Sequence, residues 1–542
     1  MKKLRLRLIC LLLSLCLLCG MGMMPVSAAQ AAPPDAATAF FYDLADALVK
    51  SLLRCVALLF PNFDIPSAYS GSADFYPGMD AFLGAPLPEA QWHVGYASAS
   101  LLQGQNVFDG KHYVGGGLIG EGQRLLIDEK TPTVLLDDQR VRVTAINDGS
   151  GRGTVIFASL DAFGLTSPDV RAIRALLRDF AVENNIVSIN VSALHQHSVI
   201  DTMGMNAPLL KALFLNPLAN ATGLFAPRSG KNTGFMKHLH HVTAAAIREA
   251  VAALAPGTLY YSKTNIREYM HDKREPIVFD EYAHRLRFVP SAPGSKETWL
   301  CNLAIHCLGT GASPRAVTGD FPYYMEETVN AAGANFQLIQ GAQLAITCET
   351  STGGAQSDDR FERMQAYGRA LGAKLTGIPA AAETEVTPLL NVRHAEYSFA
   401  VDNPLHIIFF RAGLVSATVE KTDALGWNMR LWTEVGYVTF GESLAAAIVP
   451  GELEPALAYG GGLDAARAWR GTNYALQSMQ ETIGDCALLI FGLTNDQSGY
   501  ILLPNDVRSF VLFGNEEINA ASAQAAPALL KAFGHLVKNM EF

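Results

Sequence analysis

Between Gly153 and Leu194 the chain alternates in a way that few folds can absorb. GTVIFASLD, Gly153 to Asp161, is short, apolar and rich in β-branched residues, the pattern of a strand buried on both faces. Ser167-Pro168-Asp169 then supplies a capping residue, a proline for the first helical turn and an acid against the positive end of the helix dipole. Val170, Ile173, Leu176, Leu177 and Phe180 follow at helical spacing, and NNIVSINVSAL returns as a second buried strand. Such a strand–helix–strand unit predicts parallel strands joined by a right-handed crossover. TWLCNLAIH, NFQLIQGA, SLAAAIVPG and CALLIFGLTN are further apolar runs that end in polar or glycine residues, and Thr243 to Leu254 has helical composition. The expected fold class is therefore α/β: mixed, largely parallel sheets flanked by helices, with an active site at the carboxyl ends of the strands.

The chain has 542 residues, 49% of them hydrophobic and 17% charged, enough for a large core. A net charge of −10 gives no basic footprint, which argues against a nucleic-acid partner. Residues 1–28 read as a signal peptide: Lys2, Lys3, Arg5 and Arg7, then an apolar run, then Val26-Ser27-Ala28 as a small-residue cleavage site. The expected location is secreted or extracytoplasmic, with an uncleaved membrane anchor as the rival reading. Losing four of the 41 basic residues and none of the 51 acidic ones takes the net charge from −10 to −14. Residues 29–90 read as an N-terminal helical segment, starting near Pro34 and Asp35, followed by a turn-rich linker. Cys55, Cys301, Cys307, Cys348 and Cys486 remain after the leader, an odd number without paired spacing, so the chain is not a disulfide scaffold.

The reactive side chains that follow the apolar runs are the candidates for chemistry. His195 and His197 follow NIVSINVSAL, and His306 follows TWLCNLAI. Pro450-Gly451-Glu452 follows SLAAAIV, and Asn495, Asp496 and then Tyr500 follow CALLIFGL. Imidazoles with a carboxylate suit zinc, with a position left for water. On a strand, HxH places both rings on one face, although most such pairs hold no metal; Asp201 lies too far along for the HxHxDH pattern of binuclear hydrolases. His238 and His241 in KHLHH read better as a solvated helix face, and Cys301 and Cys307 as small core residues. YVGGGLIGEG, Tyr113 to Gly122, reads as a loop near the cleft, not a dinucleotide site, because it does not clearly follow a strand and open a helix.

Taken in order, these residues resemble the neutral/alkaline, non-lysosomal ceramidases. ALHQHSV, Ala193 to Val199, is similar to that family's ATHTHSG; AIHC, with Gly319-Asp320 after it, is similar to its AIHP and later Asp pair; Pro450-Gly451-Glu452 matches its PGE; and GLTNDQSGY, Gly492 to Tyr500, resembles its GLxNxYxxY. The resemblance runs from about residue 92 to the end, and implies that 91–542 is a ceramidase-like catalytic domain without the family's C-terminal immunoglobulin-like domain. It implies one Zn2+ held by His195, His306, Glu452 and Tyr500, with His197 beside it to move a proton or hold substrate. QGAQLAITCE, Gln340 to Glu349, places Thr347 where the family has its catalytic serine, and Leu344-Ala345 where it has Gly-Asp. HSVIDTMG replaces a glycine loop, and Gln497 replaces a tyrosine. The expected activity is hydrolysis of the amide of an N-acyl sphingoid base, a related N-acyl lipid or another small amide, with association to a membrane surface allowed. The altered residues leave two alternatives: a non-catalytic ceramidase-fold protein that binds a lipid or glycan, and a zinc hydrolase of another ester or amide.

Overall fold

The computed structural model describes residues 33–539 apart from 59, 61–64, 116–122, 127–133, 207–214, 217–228, 312–315, 355–356 and 511–514. The leader expected at 1–28 and most of the glycine-rich loop after Gly115 lie outside the described residues. No helix among the described residues is long and apolar enough to cross a membrane.

Two mixed sheets stack face to face. The larger comprises β1 (Trp92–Ser100), β2 (Arg140–Asn147), β3 (Thr154–Leu160), β4 (Ile186–Ala193), β5 (Ala255–Asn265), β6 (Tyr282–Pro290), β7 (Glu297–Leu303), β8 (Ala334–Gln340) and β9 (Thr384–Val386). Its order is β8-β7-β6-β5-β1-β2-β3-β4, with β9 also paired to β5. The smaller comprises β10 (Leu390–Val401), β11 (Val419–Lys421), β12 (Met429–Phe440), β13 (Leu444–Ile448) and β14 (Ala487–Phe491), in the order β10-β12-β13-β14, with β11 also paired to β12. The central pairs are antiparallel. The parallel pairs are β3–β4, β7–β8 and β13–β14. The crossover predicted between 153 and 194 is present: α1 (Ser167–Ala175) leaves β3 and leads back to β4, opened by a capping box between Thr166 and Asp169.

Between the sheets lies one continuous apolar layer. Trp92, Phe157, Phe288, Leu300 and Ile339 of the larger sheet meet Val392, Val438, Phe440, Leu489 and Phe491 of the smaller. Phe157 sits edge-on to Phe491 with ring centroids 5.4 Å apart. Strands this apolar on both faces need helices outside, and they have them. α1 and α2 (Thr233–Ala252) cover one half of the larger sheet. α3 (Asp320–Ala331) and α4 (Arg360–Thr376) cover the other half. α5 (Pro404–Arg411) and α6 (Ala525–Lys538) cover the smaller sheet. The layers therefore run helix, sheet, sheet, helix. A buried bidentate pair also crosses them: Arg174 of α1 donates to Glu434 of β12 at 2.6 and 2.9 Å.

The N-terminal segment packs onto this body. Its helix spans Ala36–Ala57 and is capped by Asp35, whose side chain accepts from the Thr38 N–H. Ala57 and Phe60 join the core under α5, and the Arg411 guanidinium donates to the Phe60 carbonyl at 2.9 Å. Further on, Met79 is buried between the sheets.

Candidate metal centre

The residues expected to hold the ion, and His197, each follow a strand that belongs to one of the three parallel pairs in the two sheets. β4 leads to His195 and His197, β7 to His306, β13 to Glu452, and β14 to Tyr500. Asn495 ties the two sheets together at this end. Its Oδ1 accepts from the Val191 N–H at 2.9 Å, and the Ala193 N–H donates to the Leu493 carbonyl, so the loop after β14 grips the edge of β4.

HQH does not lie on the strand. His195 adopts φ 62°, beyond the last residue of β4, a backbone region that a bulky side chain enters only when its surroundings impose it. Its N–H donates to the Ala162 carbonyl and its ring stacks on Phe163, with centroids 4.7 Å apart. The bend, not strand alternation, brings His195 and His197 to one place. Gln196 turns the other way and donates to Asp161, which also receives Arg142.

The histidine tautomers follow from their partners. The Nδ1 of His195 lies 2.6 Å from the Phe163 carbonyl, and that of His306 lies 3.1 and 3.2 Å from the carbonyls of Gln343 and Ile346. A carbonyl only accepts, so each Nδ1 carries a proton, and in the neutral ring each Nε2 presents a lone pair. Both lone pairs face one oxygen: Glu452 Oε2 is 3.2 Å from His195 Nε2 and 2.9 Å from His306 Nε2. None of the described side chains gives Oε2 a hydrogen bond of good geometry. The other oxygen, Oε1, accepts from Gln497 Nε2 at 2.9 Å, which turns Oε2 toward the imidazoles. Burial alone would raise the Glu452 carboxyl; only positive charge at the His195 and His306 positions, from protons or from a cation in their place, holds the group well below the usual carboxylate range.

Lone pairs converging on a buried carboxylate repel unless a cation lies among them. Donors about 2.0–2.1 Å from a tetrahedral zinc sit about 3.3 Å from one another, close to the spacing here. The ligand atoms of His195, His197 and His306 all lie within 4.8 Å of one another. The donor set thus fits zinc in number, type and spacing.

The other expected residues are near but differently engaged. Tyr500 pairs with Glu452 along short parallel strands. Burial first, then the charges of Glu452 and Glu516, push its phenol far above the ordinary value. Thr347 is bridged to His306 through the backbone, and its hydroxyl donates to the His271 carbonyl at 3.2 Å. Gly451 is required by crowding: a Cβ there would sit 2.6 Å from the Gly499 carbonyl oxygen. Asp320 accepts from the N–H groups of Gly309, Thr310 and Phe321, a loop-shaping role away from the imidazoles. Asp201 likewise accepts from Met203, Gly204 and Asn206, which replaces the expected glycine loop with a buried turn. Of the helix-face pair only His241 is exposed on α2, whereas His238 is half-buried with its Nε2 shielded from solvent; Cys301 and Cys307 are buried free thiols in the core, as read from the sequence. Asn495, marked in the sequence only by its place after CALLIFGL, and Gln497, marked only as the replacement of a tyrosine, acquire definite tasks in the structure: one ties β4 to the loop after β14 and the other orients Glu452.

These donors open onto a cavity of about 480 Å³. Phe163, Met203, Leu344, Ala345, Phe409 and Phe410 give it apolar walls, and Thr347, Asp496 and Gln497 add polar groups. Leu344 and Ala345 pack with Leu502 and Ala520 behind the cavity, so the wall that would have carried an aspartate is hydrophobic.

This architecture has solved counterparts. The neutral ceramidase from Pseudomonas aeruginosa superposes with a TM-score of 0.61 at 13% identity, over 83% of this chain and 74% of that one. A ceramidase complexed with C2 gives 0.60 at 14% identity, over 83% and 75%. The chain has the neutral ceramidase fold. No protein-family model matches the sequence, and no curated protein matches it. At such identity the likeness speaks for the backbone, and the chemistry rests on the side chains described above. The ceramidase fold explains why strand ends distant in sequence meet at one carboxylate.

Proposed function

We propose that the protein is an exported zinc-dependent amidohydrolase of the neutral ceramidase type, acting on an N-acyl sphingoid base or related N-acyl lipid. One observation carries the reading: two imidazole Nε2 atoms aimed at one buried carboxylate oxygen, 3.2 and 2.9 Å away, in the lining of a largely apolar cavity. His195, His306 and Glu452 would hold the ion, with Tyr500 beside Glu452 completing the set. Zinc bound there would supply a water acidic enough to attack at neutral pH and a Lewis acid for the amide carbonyl. The cavity walls bind the acyl chain and exclude bulk water. Gln497 fixes the orientation of Glu452. His197, buried against Phe163 and His195, is placed to carry a proton at an imidazole nitrogen toward the leaving amine. The Thr347 hydroxyl is the group to hydrogen-bond the developing oxyanion, once it releases the His271 carbonyl.

The test is metal analysis combined with hydrolysis of a fluorescent N-acyl sphingosine. About one zinc per chain is expected, with fatty acid release that stops on chelation and returns with zinc. His306→Ala should lose both; metal at wild-type stoichiometry in that variant defeats the assignment. The engaged Thr347 hydroxyl and the hydrophobic Leu344-Ala345 wall favour a second reading, a ceramidase-fold lipid-binding protein that retains metal without turnover. Tight binding of the same N-acyl sphingosine with no release of fatty acid would select it.

A further inference from the structure

The N-terminal helix, Ala36–Ala57, wears its polarity inside out. Its charged residues turn toward the protein or lie along the flank. Asp46 is buried and accepts from Ser509 and the Phe510 N–H, Asp43 pairs with Arg470, and Lys50 lies over the Phe510 ring. The opposite face, read every three or four residues, is Ala37, Phe40, Phe41, Leu44, Leu48, Ser51 and Cys55. It carries no charge over the full length of the helix. Phe40 is 64% exposed, Phe41 66%, Leu44 47% and Leu48 64%. Scattered exposed leucines need no explanation, but an uncharged stripe along one helix does.

We propose that this face lies in the surface of a lipid bilayer, with the helix parallel to the membrane plane. The shape argues for lipid over a second copy of the chain. Even at about 200 Å² for each of the four large side chains, their exposures leave under about 500 Å², short of the roughly 800 Å² per partner of a standard protein interface. A narrow convex stripe suits a fluid interface, which needs no complementary surface. The charge argues the same way: a chain of net charge −10 gains nothing from anionic lipid, and this face offers only apolar contact. The helix also backs onto α5, whose His406, Phe409 and Phe410 line the cavity, so a bilayer on its outer face lies beside the helix that walls the cavity.

The inference does not depend on the metal or on turnover, and its test uses no substrate. The probe is neutral phosphatidylcholine vesicles with the full chain as exported. Cys55 is exposed on this face, while the other described cysteines are buried or half-buried, so an environment-sensitive fluorophore can be attached there. Its emission should shift to the blue on adding vesicles and be quenched by shallow spin-labelled lipid; emission unchanged from water overturns the proposal. Co-sedimentation with vesicles should fall at least about tenfold in Phe40→Ser/Phe41→Ser/Leu44→Ser/Leu48→Ser, with an unchanged unfolding temperature because the core-facing side is untouched. Should that variant not fold, Phe41→Ser alone is read, with a severalfold fall expected. Undiminished vesicle binding in the folded variant overturns the proposal, and so does a wild-type dimer that the substitutions convert to monomer.

Discussion

Replacing Glu452 by glutamine should change stability in opposite directions with and without metal. The substitution is nearly isosteric, and Gln497 decides its orientation: its Nε2 donates at 2.9 Å to Oε1, so the new amide oxygen takes that position and the NH2 takes the place of Oε2. Without metal the NH2 can donate to the Nε2 lone pairs that now face an oxygen at 3.2 and 2.9 Å. One repulsive contact becomes a hydrogen bond, a gain of about 1 kcal/mol. With metal the balance reverses. Structural zinc sites bind with roughly 10–16 kcal/mol spread over four donors, so one donor is worth about 3–4 kcal/mol, or some 100- to 1000-fold in affinity. At fixed excess zinc the same amount of stabilisation is lost. Thermal unfolding of wild type and Glu452→Gln, each in chelator and in excess zinc, gives all four values, with metal content as a control. The variant should be the more stable in chelator and the less stable in zinc. If the cluster were instead a protonated imidazole paired with carboxylate, glutamine would strand a buried charge and cost about 3–5 kcal/mol in chelator. A variant destabilised under both conditions therefore refutes the metal-site reasoning.

Gln497→Ala should free Glu452 to rotate and lower zinc affinity about 10- to 100-fold, read by competition with a zinc indicator, as loss of a group that orients a ligand does elsewhere. Thr347→Val should leave zinc stoichiometry unchanged and lower turnover of fluorescent N-acyl sphingosine about 100- to 1000-fold, the size of an oxyanion contact; equal turnover removes Thr347 from the mechanism. Burial pushes the Asp496 carboxyl up to about 7, against the N–H donors of Ser167 and Gln497. A folded value above the unfolded one means that the native state holds a proton the unfolded chain releases, so this group's contribution falls as pH rises from about 4 to 7 and stays flat above. Asp496→Asn keeps the acceptor that both N–H groups use, and should recover up to about 4 kcal/mol at pH 8 and almost nothing at pH 4, measured by denaturant unfolding at the two pH values.

Much of the backbone was legible because its signals are local. The short, largely apolar runs that became β3, β4, β7, β8, β13 and β14 are buried almost throughout, and such short segments are buried so fully mainly as strands. Thr166 to Asp169 announced α1 through capping chemistry that needs only four residues. The arrangement of those strands was less legible. The central strands are antiparallel and the parallel pairs lie apart from one another, since partner choice depends on packing between the sheets and not on the composition of any one run.

The amino-acid sequence by itself determined which side chains stand at strand ends: two imidazoles after NIVSINVSAL, one after TWLCNLAI, a carboxylate after SLAAAIV and a phenol after CALLIFGL. Only the tertiary structure decided how they are used. The left-handed turn at His195, the carbonyls that assign the proton to Nδ1, the Gln497 amide that turns Oε2 inward and the inverted face of the N-terminal helix all arise from contacts between residues tens to hundreds of positions apart. A strand's propensity is written in its neighbours along the chain, whereas the direction of a lone pair is set by whatever atom the fold places opposite it.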